Sequence, residues 1–242
     1  MNRAYYNWFS TSLNRNMELL AFGDRGAKVI FFPTRKAHFY DYENWGVIQA
    51  MQPLIEKGHL HVFCVDSVDA DSFYNQSLSP AERILKHELF EKYIIDELLP
   101  FMHRQNSSVV TFLAGCSLGA FHAMNIALRH PQFFSKVVGM SGRYDLTQAM
   151  GSFQDLFNGF IDENIGNNMP NKYMSVLHDQ ARIEAIKKLK IILAIGAEDA
   201  FLADNQFLSR TFSEKGIQHE LWVWTGESHN PEQWKQMVQL YL

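Results

Sequence analysis

The sequence predicts an α/β protein: a mostly parallel, twisted sheet with helices packed on both faces. Three observations carry that expectation. Short β-branched or aromatic runs alternate with longer helical stretches along the whole chain. Several runs are apolar at every position, among them Val29-Ile30-Phe31-Phe32 and Ile191-Ile192-Leu193-Ala194-Ile195, as in strands covered on both sides. No repeat, low-complexity tract or Pro/Gly/Ser linker divides the chain, so residues 1–242 read as one domain. Strand followed by helix, repeated, implies parallel strands joined by right-handed crossovers.

In order, the expected strands are residues 17–22, 28–33, 60–65, 109–114, 136–140, 191–195 and 220–225. The first clear helix opens at Ser79-Pro80-Ala81-Glu82, an N-cap, a proline at the first helical position and an acidic first turn. Leu85, Leu89, Tyr93 and Ile94 keep helical spacing behind it, and the helix is expected to reach about Arg104, bent or shortened at Pro100. Residues 120–130, 204–216 and 231–242 read as further helices, with Gly216 a natural C-terminal cap. Residues 144–182 break the rhythm. They are polar and rich in asparagine, and are expected to form a small cap over the sheet's edge.

Composition limits the function classes. With 47% hydrophobic and 20% charged residues in 242, the chain can bury a large core and is not disordered. Its 22 Lys+Arg against 26 Asp+Glu give a net charge of −4, which offers nothing to nucleic acid or an anionic membrane. Cys64 and Cys116 both lie in apolar runs, which fits buried reduced thiols and a reducing compartment. Residues 1–20 carry Arg3, Arg15 and Glu18 and no signal-type apolar block, and no stretch approaches the ~18 apolar residues of a membrane span. The expectation is a soluble, cytoplasmic protein.

Gly115-Cys116-Ser117-Leu118-Gly119 matches Gly-x-Ser-x-Gly, and its setting matters more than the pattern. A strand run precedes it and a helical run follows, the strand–turn–helix that a nucleophile elbow requires. A serine hydroxyl needs a base and a group that orients the base, and on this architecture both follow it, at the ends of later strands. Gly196-Ala197-Glu198-Asp199 follows one strand run and Gly226-Glu227-Ser228-His229 follows the next. His229 is therefore the expected base. Asp199 is the preferred orienting acid, with Glu198 and Asp204 as alternatives. The expected oxyanion donors are the backbone N–H groups of Leu118 and of Arg35 in Pro33-Thr34-Arg35-Lys36, with Lys36 the second choice for the latter. Cys116 should point into the core, and His122, one turn into the helix, should pack or hydrogen-bond there. His59 and His61 without a third ligand make a weak metal site, and no metal or organic cofactor is expected.

Across nearly its whole length the sequence resembles the esterase D-like branch of the α/β-hydrolases. That group includes esterases, S-formylglutathione hydrolases and mycolyltransferases. The likeness rests on Phe32-Pro33-Thr34, Phe63-Cys64-Val65-Asp66-Ser67-Val68-Asp69, Gly115-Cys116-Ser117-Leu118-Gly119-Ala120-Phe121-His122-Ala123, Arg129-His130-Pro131 and Met140-Ser141-Gly142. The resemblance implies a hydrolase with a Ser117–Asp199–His229 triad. The chain departs from it in Arg35-Lys36-Ala37, where relatives carry small residues, and in Asn230-Pro231 after the histidine, where relatives carry Asp-Trp.

The expected activity is cleavage of small-molecule carboxylic esters or thioesters through an acyl-enzyme. Acyl transfer to another alcohol is the enzymatic alternative. The altered oxyanion loop motivates a third reading, a non-catalytic binding protein on a hydrolase scaffold. Lys36 in the oxyanion loop and His38, Phe39, Tyr40 and Trp45 after it, with Phe153, Phe157 and Phe160 in the cap segment, are candidates to line the substrate site.

Overall fold

The computed structural model describes all 242 residues, Met1–Leu242. Eight strands form one sheet: β1 (Arg3–Ser10), β2 (Arg15–Phe22), β3 (Ala27–Phe32), β4 (Leu60–Val65), β5 (Thr111–Cys116), β6 (Lys136–Met140), β7 (Lys190–Gly196) and β8 (His219–Trp224). Their spatial order is β1-β2-β4-β3-β5-β6-β7-β8, parallel from β4 to β8 and antiparallel at β1/β2 and β2/β4. The helices are α1 (Asp41–Asn44), α2 (Val47–Ala50), α3 (Gln52–Glu56), α4 (Pro80–Tyr93), α5 (Leu99–Gln105), α6 (Leu118–Arg129), α7 (Glu163–Gly166), α8 (Pro170–Val176), α9 (Gln180–Ile186), α10 (Leu202–Glu214) and α11 (Pro231–Tyr241). None of them is long and apolar enough to cross a membrane.

The apolar strands divide their side chains between two cores, one on each face. Ile30, Leu113, Val137 and Leu193 face helices α4, α6 and α10. Val29, Phe31, Val62 and Ile192 face α2, α3 and α11. Burial on both sides removes period-two alternation from these strands, which is why they read as unbroken apolar runs.

Three expectations change. The sheet begins with β1, a strand absent from the sequence reading. Its residues alternate between exposed and half-buried, with Tyr5 and Phe9 turned to solvent, as befits an antiparallel edge strand. The strand expected from residue 109 starts at Thr111, since Val109 is exposed and lies outside the ladder. The helix expected over 79–104 has a π-helical turn, Ile94–Leu98, between α4 and α5. That turn places Pro100 among the first residues of a helical segment, where the missing N–H is tolerated. The expected cap of α4 is present in full: Glu82 N–H donates to Ser79 Oγ, and Ser79 N–H donates to Glu82 Oε2.

The asparagine-rich stretch 144–182 runs as irregular chain to Asp162 and then as α7, α8 and α9. Its asparagines hold it down. Asn171 Nδ2 donates to the backbone and carboxylate oxygens of Asp204, and Asn168 Nδ2 donates to Glu88. Beneath it Leu146, Leu156, Phe157, Ile165 and Met169 form a third, smaller core with Phe73 and Phe121.

The strand order reverses at β3, whose neighbours β4 and β5 lie on opposite sides. A crevice opens at such a reversal, beyond the carboxyl ends of the strands. Phe32 pairs with Gly115 in register, so the loop after β3 and the turn after β5 leave the sheet side by side.

Candidate active site

The turn between β5 and α6 is sharp. Ser117 sits at φ 56° and ψ −119°, a conformation that costs a non-glycine residue strain. The flanking glycines are required by close approach. A Cβ on Gly115 would meet the backbone of Gly119 at 2.3 Å, and one on Gly119 would meet the carbonyl oxygen of Phe32 at 2.2 Å. Ser117 N–H donates to the carbonyl of Met140 (2.9 Å), which fixes the turn against β6. Leu118 is the first residue of α6, so its N–H has no partner within the helix.

His229 lies in the loop after β8 and Asp199 in the loop after β7. Ser117 Oγ is 2.9 Å from His229 Nε2, and His229 Nδ1 is 3.1 Å from Asp199 Oδ2. Asp199 is 5% exposed and also accepts the N–H of Phe201 (3.0 Å). Of the two alternative acids, Glu198 is exposed and makes no hydrogen bond or ion pair with His229. Asp204 is turned away into the protein, where Tyr144 N–H and the Asn171 amide donate to it, and burial pushes its pKa up to about 6. The structure therefore brings Ser117, His229 and Asp199 into one hydrogen-bonded row, each from the carboxyl end of a different strand.

The loop after β3 runs beside the serine. Tyr42 Oη donates to the carbonyl of Phe32 (2.8 Å) and accepts the N–H of Cys116 (3.0 Å), so one hydroxyl ties the two strand ends together. Arg35 is exposed and its backbone N–H is unpartnered. The side chains of this loop lie over aromatic rings: the Arg35 guanidinium 5.8 Å from the centre of Phe153, and the Lys36 ammonium 5.1 Å from that of Tyr74. Cys116 is fully buried, and burial pushes its thiol well above the usual range. His122 Nε2 lies 2.9 Å from Asp69 Oδ1, with both side chains buried away from the row.

A family model described as "Putative esterase" matches residues 40–238, most of the chain. This chain belongs to that esterase family. A comparison with curated proteins finds no match. Among solved structures, a ferulic acid esterase superposes with a TM-score of 0.79 at 16% identity, covering 99% of this chain and 95% of that one. FphF, a fluorophosphonate-binding serine hydrolase of Staphylococcus aureus, gives 0.76 at 18% identity, covering 99% and 96%. An S-formylglutathione hydrolase of the same organism gives 0.71 at 18% identity, covering 99% and 97%. The fold is that of the α/β-hydrolases, and family membership makes this esterase a carboxylic ester hydrolase.

A narrow cleft opens on Ser117, lined by Arg35, Tyr74, Leu118, Arg143, Phe153 and Phe201. Of the residues expected to line it, only Phe153 does, joined by Arg35 and Leu118, which were expected as oxyanion donors. Phe157 is fully buried in the third core, because its apolar ring packs under the 144–162 stretch against Phe73. Trp45 packs edge-on against Tyr42 and tilted against Trp234, so it buttresses the region behind His229 rather than the cleft. Tyr40 is partly exposed on His38, outside the cleft, and Lys36 reaches its margin only through Tyr74. Tyr74, Arg143 and Phe201 went unnoticed in the sequence. Phe201 stands two residues after Asp199 and Arg143 directly after Ser141-Gly142, so position beyond a strand end was a usable signal for both. Tyr74 offered none.

Proposed function

We propose that this esterase is a serine hydrolase with Ser117 as nucleophile, His229 as base and Asp199 as the residue that orients the base. The observation that carries the proposal is the row of 2.9 Å and 3.1 Å contacts from Ser117 Oγ through His229 to Asp199. With Nδ1–H donating to Asp199, Nε2 accepts the seryl proton as Oγ attacks the ester carbonyl carbon. Negative charge then develops on the carbonyl oxygen, and the backbone N–H groups of Leu118 and Arg35 stabilise it. As the tetrahedral intermediate collapses, the carbon–oxygen bond to the leaving group breaks and imidazolium returns the proton to the departing alkoxide. Water, deprotonated by His229, resolves the acyl-enzyme by the same route.

Thioester cleavage follows the same steps with a thiolate as leaving group. Acyl transfer differs only in the acceptor that replaces water, and product analysis with added alcohols distinguishes it. The test of the proposal is turnover of 4-nitrophenyl acetate. Ser117→Ala is expected to lower kcat by roughly 10⁴-fold or more with the fold retained. Comparable turnover by the alanine variant contradicts the assignment.

A further inference from the structure

Arg143 is buried in the wall of the cleft, 4% exposed, on the chain leaving β6. Its Nη2 donates to the carbonyls of Gln148 (2.5 Å) and Gln154 (2.8 Å), and its Nε has no partner. It forms no ion pair. The nearest acids are engaged elsewhere. Asp145 accepts from Thr147 and Gln148 and pairs with Lys172, Asp155 accepts the N–H groups of Phe157 and Gly159, and Asp204 holds Tyr144 and Asn171. Burial disfavours the charge of Arg143; these three carboxylates favour it from a distance, but none reaches it as an ion-pair partner. A buried guanidinium without a direct anionic partner is costly, and such groups concentrate where a ligand supplies one.

A second unpaired guanidinium faces the same cleft. Arg35 lies over Phe153 and Arg143 over Phe201, each 5.8 Å from its ring centre, and the two phenylalanine rings are 4.6 Å apart. The same rings lie 5.7 Å and 5.4 Å from the ring of His229. An aromatic pair beside the base is thus flanked by two guanidinium groups that form no ion pair.

We propose that the cleft selects esters carrying a second, anionic group, which Arg35 and Arg143 hold while the Phe153–Phe201 pair takes the apolar part between it and the scissile carbonyl. The proposal rests on Ser117 being the nucleophile. Guanidinium recognises carboxylate and phosphate alike, so the shared requirement is the negative charge.

The test compares kcat/KM within two matched pairs. Mono-4-nitrophenyl adipate against 4-nitrophenyl heptanoate places the anion on the acyl side. 4-Acetoxybenzoate against its methyl ester places it on the leaving group. At least one pair is expected to favour the anion by roughly 10- to 100-fold, the range of one charge-assisted hydrogen bond. Arg143→Met and, separately, Arg35→Gln should each shrink that ratio, and Arg35→Lys should restore part of it. Arg35 is exposed, so its variants test the proposal even if Arg143→Met disturbs the 148–154 loop that the buried guanidinium ties. Competition by adipate against inorganic phosphate shows which anion the pair prefers.

No preference for the charged ester in either pair, or a preference unchanged in Arg35→Gln and Arg143→Met, overturns the proposal. Failure of all four esters while a fluorophosphonate still labels Ser117 also overturns the proposal, whereas failure without that label overturns the nucleophile assignment beneath it instead.

Discussion

Ser141 Oγ donates to the carbonyl of Ser228, 3.1 Å away, and so holds the backbone directly before His229. Trp234 Nε1 donates to the same hydroxyl at 3.3 Å while its ring packs edge-on against His229. The base is thus positioned from β6, the strand that also receives the Ser117 N–H. Ser141 sits at φ 50°, a conformation strained for alanine as for serine, so Ser141→Ala leaves that cost in place and frees the Ser228 carbonyl. It should lower kcat by roughly tenfold with KM little changed, as a loss of base positioning does. A rise in KM alone would assign the hydroxyl to substrate binding.

The choice among three acids gives a second prediction. Asp199→Asn should lower kcat by roughly 10³- to 10⁴-fold, because the amide no longer favours the Nδ1–H tautomer. Glu198→Gln, on an exposed side chain, should leave kcat within about threefold. Equal losses in the two variants would mean that the acid is misassigned.

Close approach at the elbow gives a third. A Cβ on Gly119 would meet the Phe32 carbonyl oxygen at 2.2 Å and that of Pro33 at 2.6 Å, and both are backbone atoms that no rotamer change can move. Gly119→Ala should therefore displace the loop carrying Arg35. It is expected to cost about 1–3 kcal/mol of stability together with most of kcat. Unaltered kcat and Tm would show that α6 can shift freely against β3.

Asp204 gives a pH dependence. Burial pushes its folded-state pKa up to about 6, against about 4 in an unfolded chain. Between those values the folded protein keeps a proton that the unfolded chain releases, so Asp204 lowers stability as pH rises through that window. The stability of Asp204→Asn minus that of the parent should grow by about 2 kcal/mol from pH 4 to pH 6, read from urea denaturation. Parallel curves would show that Asp204 ionises freely in the folded state.

Sequence legibility followed physical cause. Strands buried on both faces announced themselves as apolar runs, and the elbow did so because its crowding tolerates only glycine at two positions. β1 escaped notice because an exposed edge strand has no core to impose an apolar run. Trp45 and Phe157 show the converse limit: aromatic residues near a site in sequence are more often buttress or core than lining. Arg143 was illegible for a subtler reason. Its role depends on the carboxylates nearby already being hydrogen-bonded to other groups, which no local pattern records.

The most direct test of the account is intact mass after incubation with a fluorophosphonate, followed by peptide mapping. One adduct on Ser117 is expected, lost in Ser117→Ala and slowed strongly in His229→Ala, because an unassisted serine does not attack phosphorus at a useful rate. No adduct under conditions that label a serine-hydrolase control, or an adduct that persists in Ser117→Ala, would contradict it.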